Sequence, residues 1–90
     1  MKLHEAVQKF DDWSLPWTFE SKVKESLMGD SDEIAKFEAI ADEANKREHW
    51  FQGDLSIGCK ITQSELRKRF PDEDEETLAA FVRSASYNWK

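Results

Sequence analysis

Apolar side chains recur at intervals of three and four residues along most of this chain, and that spacing commits it to helices. The clearest run is Ile34, Phe37, Ala41, Ala44 and Phe51, broken only by Glu48 and widened by Ile40 and Trp50. It predicts a third helix of about 20 residues, roughly 30 Å long, with Gly53 as its stop. Asp30 and Glu33 stand at capping-box spacing before it, and the acids of that first turn suit the helix dipole.

The flanking segments follow the same rule. Leu3, Ala6, Val7, Phe10 and Trp13 predict a helix over residues 2–13, ended by Ser14-Leu15-Pro16. Phe19, Val23 and Leu27 predict a second helix, capped by Ser14 or Thr18 and closed by a left-handed Gly29. Residues 54–60 are ambiguous: Leu55, Ile57 and Cys59 alternate with polar or small residues, as in a strand. No second strand offers itself for pairing, so an ordered loop with Leu55 and Ile57 tucked inward is the better expectation. Beyond it, Thr62 and Glu65 have capping-box spacing, and Ile61 and Leu66 have that of a hydrophobic staple. Pro71 then stops the fourth helix, and Leu78, Phe81, Val82, Ala85 and Trp89 stripe a fifth. The expected fold is all-α: a small five-helix bundle with a long central helix and a C-terminal helix-turn-helix-like hairpin.

Ninety residues suit one domain, since two would each be too short to bury a useful core. Hydrophobic residues make up 39%, including four Trp and six Phe, too many for a disordered acidic tail. The net charge of −6, from 13 basic against 19 acidic residues, argues against general affinity for nucleic acid or anionic membranes. Cys59 is the only cysteine, so no intramolecular disulfide exists. With no signal-like or membrane-spanning apolar run, the sequence reads as a complete small cytoplasmic protein.

The last third carries a conflict. Thr62-Gln63-Ser64-Glu65-Leu66 resembles the opening of a helix-turn-helix, which implies DNA contact through the following helix. Arg67 and Pro71 stand where that family usually has a small residue and a Gly. The second helix moreover opens on Asp72, Glu73, Asp74, Glu75 and Glu76, which would repel a phosphate backbone. A nucleic-acid reading therefore needs Lys60, Arg67, Lys68 and Arg69 as the contact surface, with the acids turned away. The acids have two other readings. They stabilise their own helix and answer the upstream bases, or they form a docking face for a basic partner, in the extreme imitating nucleic-acid charge.

Trp13, Trp17, Trp50 and Trp89 all fall near expected helix ends, where an indole serves either as core filler or as an interface anchor. Trp17, Trp50 and Trp89 are the candidates for partner contact. No catalytic or cofactor motif stands out. Cys59 has no neighbouring base, and His4 and His49 belong to no ligand pattern. Asp72, Asp74 and Glu76 imitate a calcium loop without its turn glycine. The functional expectation is a non-catalytic acidic protein-binding module, regulatory, accessory or inhibitory, of a size and acidity that suit a phage or mobile-element protein. The apolar stripe of the third helix could serve a homodimer as readily as a monomer core.

Overall fold

The computed structural model describes residues 2–50 and 54–88, and among these every regular element is helical. The order is α1 (Leu3–Lys9), a 3-10 turn (Pro16–Thr18), α2 (Phe19–Ser26), α3 (Ser31–Ala44), α4 (Arg47–Trp50), α5 (Leu55–Arg69) and α6 (Glu75–Asn88). α4 is a single turn, so five longer helices build the body. Two elements share the centre: α6 packs against α1, α3, α5 and the 3-10 turn, and α3, from the expected third helix, packs against α1, α2, α5 and α6. The buried face of α6 is wide enough for this, with Leu78, Phe81, Val82 and Ala85 joined by the small polar Thr77 and Ser84.

Aromatic rings join the elements. Phe19, fully buried, meets Phe10 at 5.2 Å, Trp13 at 5.3 Å and Phe81 at 5.3 Å between centroids. Phe37 reaches Phe81 from α3. α1 stops at Lys9, shorter than the apolar spacing implied, because Phe10 is extended (φ −74°, ψ 116°). The chain beyond it swings Trp13 onto Phe19. The Arg83 guanidinium of α6 lies over the Trp13 ring, 4.2 Å from its centroid.

The capping box before α3 forms by half. Asp30 accepts from the Glu33 N–H at 3.3 Å, but the Glu33 side chain turns elsewhere. It is buried and accepts the backbone N–H of Leu3 at 2.7 Å, thirty residues away. That N–H opens α1, where Lys2 gives no side-chain cap, so α3 supplies the acceptor that α1 lacks. Gly29 takes φ +94°, the left-handed turn expected between α2 and α3.

Two expectations need correction. The 20-residue third helix divides: α3 ends at Ala44, and Asn45-Lys46 separates it from α4. Asn45 causes the break by bonding the Ala41 carbonyl with its side-chain amide, at 2.8 Å, while also reaching Glu20 and Asn88. The predicted stop at Gly53 and the core position of Phe51 lie outside the described residues. The second correction is at residues 54–60, which are neither strand nor loop but the opening of α5. Asp54 caps it, accepting from the Ser56 N–H at 2.8 Å. Leu55 and Ile57 are consequently exposed, and Gly58 faces the core instead.

With α5 capped at Asp54 and not at Thr62, eight residues early, Thr62 is a mid-helix residue and caps nothing. Its hydroxyl is fully buried with no hydrogen-bond partner. Thr62→Val keeps the shape and removes the unsatisfied group, so it should raise stability by about 1 kcal/mol. Urea denaturation checks this; a loss of stability would show that the hydroxyl has a partner.

Candidate functional site

The surface offers three separable features: an exposed indole, an acidic segment and a basic helical face. Trp17 supplies the first. It is 68% exposed, beside Leu15 at 39%, although both flank the buried Pro16. Proline presets the backbone for this first turn. The Thr18 hydroxyl donates to the Leu15 carbonyl at 2.6 Å, and the Phe19 N–H bonds Pro16. The turn rests on α6 and runs directly into α2. A large apolar ring is thus held out on a backbone with little freedom left to lose on binding.

The other two tryptophans expected at a partner face divide differently. Trp50 is a correction: only 9% exposed, it donates its indole N–H to the Ala44 carbonyl at 2.8 Å. The break at Asn45 turns α4 back so that this ring satisfies one of the open carbonyls ending α3. It packs so closely on Gly58 that a Cβ there would lie 2.6 Å from the ring. Trp89 lies outside the described residues.

The acidic segment is mostly solvent-facing. Asp74 caps α6 by accepting the Glu76 N–H at 2.8 Å, and Glu75 pairs with Arg67 at 3.2 Å across the turn. Bases and acids therefore do answer one another, through one exposed pair of small energetic weight. Asp72, Glu73 and Glu76 make no ion pair among the described residues. The segment begins α6, whereas Asn88 ends it against Asn45, near Glu20 and the Trp17 turn. Acids and exposed indole are thus separated by most of α6, on the order of 15–20 Å.

Lys60, Arg67 and Lys68 share the outer face of α5 with Gln63 and Ser64, at i, i+3, i+4, i+7 and i+8. Arg69 does not join them. It turns inward to Glu43 at 3.1 Å and to Glu65 at 3.7 Å.

Glu43 is itself a node. It is buried, with His49 Nε2 at 2.7 Å, Lys46 at 3.0 Å and Arg69 at 3.1 Å. Burial works to raise its pKa, but the bonds from His49 and Lys46 and the charges of Lys46 and Arg69 outweigh it and hold it low. Glu33 is held low chiefly by the Leu3 N–H, against burial and with help from Lys36. Both values lie below the ordinary 4.5 of an unfolded glutamate. Their stabilisation is complete above that value and is lost as pH falls through the lower folded values. The contribution of these two glutamates should therefore be complete above about pH 5 and drop below about pH 4. Denaturation across this range checks it, and Glu33→Gln should shallow the drop. Cys59 packs against the core, and burial pushes its thiol pKa up, which suits an unreactive apolar role. Among the described residues no cluster has the make-up of a metal site.

A further feature was not anticipated. A groove of about 340 Å³ runs between α2 and α3, lined by Glu20, Lys24, Phe37, Glu38, Ala41 and Asp42 among others. Its sequence signal is the like-charged i, i+4 pair Glu38 and Asp42 near the end of a helix. No protein-family model matches this chain, and no curated protein or solved structure matches it. No helix among the described residues is long and apolar enough to cross a membrane.

Proposed function

We propose that this chain is a non-catalytic protein-binding module, acting as a regulatory, accessory or inhibitory factor that docks on a basic partner surface. The observation that carries this is Trp17, an exposed indole on a turn locked by proline and hydrogen bonds. Tryptophan is among the residues enriched at interface hot spots. The acidity suits a basic partner, with Asp72 and Glu76 free to meet it. A phage or mobile-element origin fits the size and charge. Affinity capture from source-cell extract tests the reading. The wild-type bait should retain a protein that a folded Trp17→Ala bait does not, and equal retention would count against it.

A second reading has one observation in its favour, the basic outer face of α5. Since α6 is packed on several sides, a nucleic-acid contact would run through Lys60, Arg67 and Lys68 on α5 and not through the helix after the turn. Titration with duplex DNA at low salt decides it: salt-sensitive binding lost on Lys60→Ala and Lys68→Ala supports it, and no binding removes it.

A further inference from the structure

We infer that the groove between α2 and α3 is where an arginine-bearing basic segment of the partner docks, with Trp17 at its end. This rests on the protein-binding reading and moves the principal docking face away from residues 72–76. α2 and α3 lie side by side in opposite directions, joined across the groove by Lys24–Glu38 at 3.1 Å and by Asn45–Glu20 at 3.3 Å. Trp17 is not part of the groove lining, but it stands three and four residues before the lining residues Glu20 and Ser21 on the continuous run from the 3-10 turn into α2, which places it one turn beyond the groove on the same side. The edges of Phe37 and Ala41 supply an apolar floor.

The charges at the α3 C-terminal end are unbalanced. The last turn of α3 holds Asp42 and Glu43 and no basic residue, although the negative end of a helix dipole favours cations. Glu43 is compensated from within by Lys46 and Arg69. Asp42 is exposed, one turn beyond Glu38 on the same face, and makes no ion pair among the described residues. An incoming cation would relieve an arrangement that is unfavourable in the free protein.

Arginine fits better than lysine because its planar guanidinium can pair with the Asp42 or Glu20 carboxylate and also stack on the Trp17 face. The fold already makes such a stack internally, Arg83 over Trp13 at 4.2 Å.

Calorimetric titration with an oligo-arginine peptide and an oligo-lysine peptide of equal length tests this at low salt. The arginine peptide should bind more tightly. Its affinity should fall roughly tenfold in Glu20→Gln/Asp42→Asn and in Trp17→Ala, yet stay within about twofold in Asp72→Asn/Glu76→Gln. Asp42→Asn should unfold at the same or a higher temperature, so the lost binding is not lost folding. Greater loss in Asp72→Asn/Glu76→Gln, or no arginine preference, overturns the assignment. If a captured partner depends on Trp17 but binds Glu20→Gln/Asp42→Asn as well as wild type, the protein-binding reading stands and the groove does not.

Discussion

Phe19→Ala should reduce the free energy of unfolding by about 3–5 kcal/mol, the usual range for removing a buried phenylalanine. Phe19 is fully buried and its ring touches Phe10, Trp13 and Phe81, so one truncation opens contacts from α6 and from the chain that follows α1. Each ring pair adds roughly 0.5–1.5 kcal/mol beyond its buried area. A domain of this length holds roughly 5–13 kcal/mol in total, so this one truncation removes a large share of it. Chemical denaturation followed by far-ultraviolet circular dichroism measures it. A loss under about 1.5 kcal/mol would mean that the aromatic cluster is not the centre of the core.

Trp50→Ala should cost about as much, roughly 3–5 kcal/mol, because it empties the contact with Gly58 and leaves the Ala44 carbonyl without its indole donor. Gly58 gives a sharper test through a change of sign. In an exposed helix interior, Gly→Ala gains up to about 1 kcal/mol. Here the new methyl would stand 2.6 Å from the Trp50 ring and 3.3 Å from the His49 carbonyl, so Gly58→Ala should instead destabilise by about 1–2 kcal/mol. Once Trp50 is alanine the ring is gone, and the same substitution should become neutral or stabilising. If Gly58→Ala stabilises the wild-type protein, the close approach of α4 and α5 is wrong.

The all-helical class was legible because apolar periodicity reports burial directly, and Leu3, Val7, Phe19, Val23, Leu27, Phe37, Leu78 and Phe81 are buried as their spacing implied. The boundaries were less legible because they depend on partners distant in sequence. Asn45 ends α3 with help from Glu20 and Asn88. Glu33 abandons its own capping box for the Leu3 N–H. In residues 54–60, a short alternating run obscured a helix start that Asp54 specifies well. The same limit governs the candidate site. The sequence alone does not tell an exposed indole from a buried one: Trp17 is left in solvent by a turn that rests on α6, whereas Trp50 is buried against Gly58 of α5. The four bases looked like one patch, until Glu43, buried 26 residues upstream, drew Arg69 inward. The groove needed α2 and α3 side by side before Glu20 and Asp42 could be seen as neighbours.

The exposed and the buried indole make opposite predictions, and the central claim is that Trp17 serves binding and not folding. Its most direct test is the affinity of the captured partner for wild type and for Trp17→Ala, with both proteins first shown to unfold at the same temperature. The expected result is an unfolding midpoint essentially unchanged and an affinity lower by roughly thirtyfold, about 2 kcal/mol. An affinity within about threefold of wild type, or a Trp17→Ala protein that is itself destabilised, would contradict it.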